Sequence, residues 1–233
     1  MKDGVRQGLK LVIFDCDGVL IDSEGPSCRA TAQFARSLGV NISDEEGLAR
    51  FAGKALPQVV RELEAELGHP LPPGTHTKMR DNLVRLMKEG VAPVEGAIAL
   101  LEALAARYVP VRVGSNSSMT EMEAKFGCTG MDRLLPEERI HSAADMGKPK
   151  PDPAVYLRGA EMEGVRPEET VVIEDSDTGA DAARRAGMSC ILLRPASHPM
   201  PAFWPVEGFV RVEHLDEVML LLDAALAPAF RQG

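Results

Sequence analysis

Residues 9–14 (LKLVIF) form a short, mostly apolar run that breaks without transition into Asp15-Cys16-Asp17-Gly18. A run with no polar alternation has no solvent face, which is the mark of a parallel strand buried on both sides. Chain direction then places the acids at the strand's carboxyl end, the edge where open α/β sheets hold their ligands. Similar runs recur at residues 109–113, briefly around Ile140, and at 171–173 and 190–193. Helical patterns separate them, among them residues 97–107 (AIALLEALAAR) and 180–186, the latter stopped by Gly187. Strands alternating with helices predict an α/β fold with a doubly wound parallel sheet.

Between the first two strands the rhythm changes. Residues 27–89 contain no strand candidate. They read as about four helices: 27–38 ending at Gly39, one opened by a Ser43/Glu46 capping box, 56–67 ending at Gly68, and 77–89 ending at Gly90. The expectation is an all-helical cap domain over residues 23–90, inserted into a core made of 1–22 and 91–233. Its two connections fall near 22–26 and 90–96. The Pro-rich stretch 194–205 reads as a surface loop and 214–227 as a closing helix. A length of 233 residues suits one large domain carrying a smaller one.

The formal net charge of −9 gives no electrostatic support to a nucleic-acid partner. It does not exclude an anionic substrate, because a metal ion and a few local cations dominate a small pocket. No apolar run is long enough to span a membrane, and residues 1–10 are polar, without a signal-peptide core. A cytoplasmic location is expected, as a monomer or weak homodimer. Cys16, Cys28, Cys128 and Cys190 lack metal-ligand spacing and read as reduced thiols.

Four segments at strand ends carry chemically useful residues. Asp15 and Asp17, two apart, suit a metal site, an acid/base pair or a turn. An EF-hand is excluded because Gly18 is the fourth residue of the run, where that loop needs Gly at its sixth. Gly114-Ser115-Asn116 offers a hydroxyl and backbone N–H groups to a phosphoryl oxygen, or is a plain turn. In Gly147-Lys148-Pro149-Lys150-Pro151-Asp152-Pro153, prolines fix the backbone and a Lys can set a compact charge against an anion. Glu174-Asp175-Ser176-Asp177 packs three acids into four residues, which suggests an oxygen-bound cation such as Mg²⁺, a helix N-cap, or both.

Taken together and in this order, DxDGVLxDSE, SN, KPxPDP and EDSxxG resemble the haloacid dehalogenase superfamily, over roughly residues 10–193. The helical insertion resembles its subfamily with a type 1 cap on a Rossmann-like core. The resemblance implies Asp15 as the nucleophile that becomes an aspartyl phosphate. Asp17 would be the general acid/base, with its carbonyl reaching Mg²⁺ and its side chain protonated in the substrate complex. Ser115 and Asn116 would bind phosphate, Lys148 would balance the charge of nucleophile and phosphoryl group, and Lys150 would face solvent. Asp175 would be the carboxylate ligand of Mg²⁺, with Glu174 beside it in either the inner or the outer coordination sphere.

The intact D-x-D favours phosphate esters over halides or phosphonates within that family. Gly53-Lys54-Ala55-Leu56 and Ser115-Asn116-Ser117 depart from β-phosphoglucomutase-like patterns, which leaves a phosphomutase as the alternative and a catalytically silent binding protein as a remoter one. The expected substrate is a small phosphorylated metabolite: a sugar, polyol or sugar-acid phosphate such as 6-phosphogluconate. Arg50 and Lys54 in the cap are candidates for gripping its second anionic group. The dispersed histidines read as surface residues, and Met119, Met122 and Met131 as packing.

Overall fold

The computed structural model describes residues 4–230, so the outermost ends of the expected core, 1–3 and 231–233, lie outside the described residues. Among the described residues eight strands occur: β1 (Leu11–Phe14), β2 (Ile21–Asp22), β3 (Ala92–Pro93), β4 (Val111–Ser115), β5 (Ile140–Ser142), β6 (Thr170–Glu174), β7 (Ser189–Leu193) and β8 (Phe209–Val212). Six form a sheet in the order β5-β4-β1-β6-β7-β8, with every neighbouring pair parallel. Chain order therefore runs outward in one direction from β1 through β4 to β5, then restarts beside β1 with β6. That reversal between β1 and β6 is the topological switch point, where two loops diverge and leave a crevice.

Burial on both faces explains the unbroken apolar runs. Val12 and Phe14 point into one layer with Leu101 and Leu104 of α5 (Ala97–Ala106), Met122 and Phe126 of α6 (Met119–Thr129) and Leu222 of α9 (Asp216–Ala225). Leu11 and Ile13 point into the other with Val155 and Tyr156 of α7 (Ala154–Glu163) and Ala180 and Ala183 of α8 (Asp177–Ala186). Register completes the placement. Phe14 pairs with Val113 on one side and Ile173 on the other, so the residues that follow all three strands emerge at one edge.

The chain leaves and re-enters this core through the two-residue antiparallel ladder of β2 and β3. Between them lie α1 (Glu24–Ser37), α2 (Asp44–Phe51), α3 (Leu56–Leu67) and α4 (Thr75–Glu89), which share an apolar cluster of their own including Ala32, Phe51, Val59, Leu63 and Met79. The Ser43/Glu46 capping box forms as the spacing predicts: Ser43 N–H donates to Glu46 (2.7 Å) and Glu46 N–H to Ser43 (3.1 Å). α1 and α2 approach so closely that a Cβ on Gly47 would stand 2.6 Å from that of Ala32. Helices α1 and α4 begin earlier than the sequence pattern indicates. The hairpin and β8 are additions to it, the hairpin being too short for periodicity and β8 an edge strand beyond the Pro-rich loop.

Candidate active site

Asp15 follows β1 directly, its N–H donating to the carbonyl of Ile173 (2.9 Å). Its carboxylate is almost fully buried and accepts a hydrogen bond from Lys150 Nζ (2.5 Å), which also donates to Glu174 Oε1 (2.8 Å). Lys150 lies 4.8 Å from the centre of the Tyr156 ring, and the Tyr156 hydroxyl donates to the same Glu174 oxygen (3.0 Å). The other Glu174 oxygen accepts from Asp175 N–H (2.8 Å), Ser176 N–H (2.7 Å) and the Ser176 hydroxyl (2.9 Å). Burial raises the Asp15 carboxyl well above the usual carboxylate range, with Lys150 opposing and Glu174 reinforcing the shift. For Glu174 burial pushes the same way, but Lys150 and the Ser176 donors outweigh it and hold the group low. Lys150 stays firmly cationic because its two carboxylate partners overcome burial.

This corrects the assignment of Lys148. That residue is exposed on the turn after β5, where Gly147 N–H donates to Ala144 (2.9 Å) and Lys148 N–H to Ala143 (3.0 Å). Lys150, expected at the surface, is the one against Asp15. Two overlapping registers of K-P-x-P, starting at Lys148 and at Lys150, caused the ambiguity. What resolves it is Asn116, whose Oδ1 accepts from Lys150 N–H (2.9 Å) and anchors that residue beside β4. A signal was available in the sequence: Asp152 accepts from Ala154 N–H (2.9 Å) just ahead of α7, and Lys150 stands two residues before it.

Asp15, Glu174 and Asp175 each place a carboxylate oxygen within 4.8 Å of the others. Three acids this close, all offering hard oxygen donors, suit a divalent cation of the Mg²⁺ type. The room they occupy is left by glycines: a Cβ on Gly18 would collide with the Asp175 carboxylate, and one on Gly179 with that of Glu174. Gly18 also has φ +78°, the left-handed region that glycine adopts freely.

Asp17 lies on the cavity side of the same loop. Lys125 Nζ donates to both of its oxygens (2.6 and 2.9 Å), Ser117 Oγ to Oδ2 (2.7 Å), and Ser23 Oγ to Oδ1. Burial works to raise the Asp17 carboxyl, but Lys125 and the two serines hold it below its ordinary value. The protonated form expected for a substrate complex is therefore not the form this arrangement favours. Lys125 has no counterpart among the sequence candidates. It belongs to α6, whose Met122 and Phe126 face the core, and a Lys on that apolar stripe was the one available clue.

A cavity between α1–α4 and the core is lined by Asp15, Asp17, Lys125, Lys150, Glu174 and Asp175 together with Ser27, Thr31, Phe51, Lys54, Ser115 and Glu121, among others. Ser115 is buried and its Oγ accepts from Ser117 N–H (3.1 Å). The Asn116 side chain, expected on phosphate, is engaged elsewhere: besides holding Lys150, its Nδ2 donates to the Gly53 carbonyl (2.9 Å) of the loop between α2 and α3. Gly53 packs tightly there, since a Cβ would lie 3.2 Å from Ser176 Cβ. Arg50 of α2 and Lys54 of the loop after it diverge. Lys54 lines the cavity while pairing with Glu62 (2.7 Å); Arg50 does not line it, being bound to Glu66 (2.5 Å) and stacked 5.2 Å from the Phe51 ring centre.

A switch-point crevice holding a buried Asp–Lys–Glu set and an adjoining acid marks a doubly wound α/β protein with its ligand site at the strand ends. The sequence profile described as haloacid dehalogenase-like hydrolase matches residues 12–193, and the chain belongs to that family. It is 31% identical over 212 residues to the 6-phosphogluconate phosphatase of Escherichia coli (strain K12), covering 90% of this chain and 94% of that one. Hexitol phosphatase A of the same organism is 32% identical, covering 80% and 84%. Among solved structures, a haloacid dehalogenase family hydrolase of Deinococcus radiodurans R1 with bound phosphate and sodium superposes with a TM-score of 0.69 at 30% identity, covering 94% and 98%. No helix of the described residues is long and apolar enough to cross a membrane.

Proposed function

We propose that the chain is a Mg²⁺-dependent phosphatase acting on a small sugar, polyol or sugar-acid phosphate, of which 6-phosphogluconate is one candidate, through an aspartyl phosphate on Asp15. The observation that carries this reading is the buried Lys150 bonded to Asp15 at the switch point. It opposes the burial that raises the Asp15 carboxyl, favouring the anionic nucleophile, and leaves a positive charge where a phosphoryl group must arrive.

In the first step an Asp15 oxygen forms a bond to phosphorus as the bond to the ester oxygen breaks, and the leaving oxygen takes a proton from Asp17, whose carboxyl the free site holds low and which must gain that proton as the substrate binds. Asp17 then receives a proton from water as that water attacks the aspartyl phosphate, releasing phosphate and restoring Asp15. Uncatalysed phosphate-monoester hydrolysis needs accelerations of up to ~10²¹-fold, so stabilising charge on the equatorial oxygens is the main task. Lys150 and Ser115 serve it from this chain, Lys150 taking the part the sequence pattern gave to Lys148. Asp15, Asp175 and the Asp17 carbonyl would hold the cation, with Glu174, whose oxygens already have five protein donors, ordering Lys150 and the turn. Bound there, Mg²⁺ would neutralise phosphoryl charge.

Helices α1–α4, over residues 23–90, serve as the cap that excludes water and reads the leaving group, with Lys54 as its cation toward the substrate. A cytoplasmic monomer or weak homodimer accords with this role.

The test is phosphate release with Mg²⁺ across sugar, polyol and sugar-acid phosphates, with Asp15→Asn as control. β-Glucose 1-phosphate is included with a bisphosphate activator, and glucose 6-phosphate is followed. Release requiring Asp15 and Mg²⁺ is expected. Conversion to glucose 6-phosphate with little free phosphate would make the enzyme a mutase instead.

A further inference from the structure

We propose that Lys125 is the positioning residue of the leaving-group side, fixing the plane in which the Asp17 carboxyl meets the ester oxygen; this rests on the phosphatase reading above. Its ammonium has three N–H groups and all are engaged: Asp17 Oδ1 at 2.6 Å, Asp17 Oδ2 at 2.9 Å and Ser117 Oγ at 2.8 Å. A carboxylate gripped on both oxygens cannot turn about its Cβ–Cγ bond. The remaining donors, the hydroxyls of Ser23 and Ser117, can reverse from donor to acceptor. Lys125 cannot, which makes it the fixed member of the set.

Stability alone does not explain a Lys at this place. Only 1% of Lys125 is exposed, and it shares its helix with the core residues Met122 and Phe126. An apolar side chain of similar volume would serve packing as well or better, because a buried ion pair rarely outperforms a hydrophobic replacement. The Asp17 partner, by contrast, opens onto the cavity, with a quarter of its side chain exposed. Lys125 borders the same cavity but is almost wholly covered, its ammonium spent on Asp17 and Ser117, so it can orient the acid without taking part in bond making. In the first step the electron pair of the breaking P–O bond goes to the ester oxygen, the proton comes from Asp17, and Lys125 neither gives nor takes one.

The distinguishing measurement is the leaving-group dependence of turnover. p-Nitrophenolate leaves without a proton; a sugar or polyol alkoxide does not. Both substrate types are assayed on one preparation each of wild type, Lys125→Met, Lys125→Arg, Asp17→Asn and the Asp17→Asn/Lys125→Met double variant. The ratio of alkyl to aryl turnover is unaffected by any fraction of unfolded protein. The expected result is a fall in that ratio of about 10²-fold in Lys125→Met, a comparable fall in Asp17→Asn and no further fall in the double variant. Lys125→Arg should recover part of it. Equal slowing of both substrates by Lys125→Met would overturn this inference alone. Absence of Asp15-dependent release from either substrate in wild type would overturn the phosphatase reading and the inference with it.

Discussion

The two halves of the site are held by different physics. On the sheet side, Asp15, Lys150, Glu174 and Ser115 are almost completely buried; the first three fix one another from separate strands and loops, and Ser115 is held by the turn that follows it. On the helical side, Arg50, Lys54 and Glu62 keep between about a quarter and a third of their side chains in water and pair with one another and with the exposed Glu66. Removing one member of a buried ion pair strands the other and costs about 3–5 kcal/mol, whereas an exposed pair contributes about 0–1 kcal/mol. The difference teaches where change is tolerated. The sheet side can support one chemistry, while the helical side can alter its choice of substrate at little cost to the fold.

The contrast sets an order of effects. Asp15→Asn should lower phosphate release by about 10³-fold or more on every substrate, measured with the stability of the variant as control. Lys150→Met should depress turnover nearly as far and destabilise the protein by about 3–5 kcal/mol in urea titration, because Asp15 and Glu174 lose their shared cation. If Lys148→Met does the same and Lys150→Met does not, the assignment of the two lysines is reversed. Asp175→Asn should raise the Mg²⁺ concentration for half-maximal activity by about 10-fold or more, read from a metal titration at saturating substrate. Lys54→Ala should raise KM by about 5- to 30-fold, about 1–2 kcal/mol of binding, with a smaller change in kcat. Arg50→Ala should change stability by less than about 1 kcal/mol and kinetics least of all. A large kcat loss at Arg50 or Lys54 would erase the distinction between the halves.

Local pattern made much of this legible. The apolar runs gave β1, β4, β6 and β7 within a few residues because burial on both faces leaves an unbroken record in the sequence. The bounds of α3, with Gly68 at its end in the left-handed conformation, were equally plain. The placement of Asp15, Asp17, Ser115 and Asp175 at or just beyond strand ends is legible for the same reason. What escaped notice depends on contacts between distant segments. Lys150 is distinguished from Lys148 by a bond to Asn116, 34 residues away, and Lys125 reaches Asp17 across 108. The side-chain commitments of Asn116 and Arg50 are likewise set by neighbours in space. Periodicity reports which face a residue occupies, and pairing within that face is decided by the fold.

The glycines beside the acids carry a consequence of their own. Gly18 and Gly179 contribute no atom to the chemistry, yet the carboxylates of Asp175 and Glu174 fill the space their side chains would take. Part of the site is thus built from vacancy, and vacancy leaves no functional group for an inhibitor or a chemical label to find. In a saturation screen these two positions should be as intolerant as the acids they accommodate, with alanine, the smallest possible change, already enough to evict one.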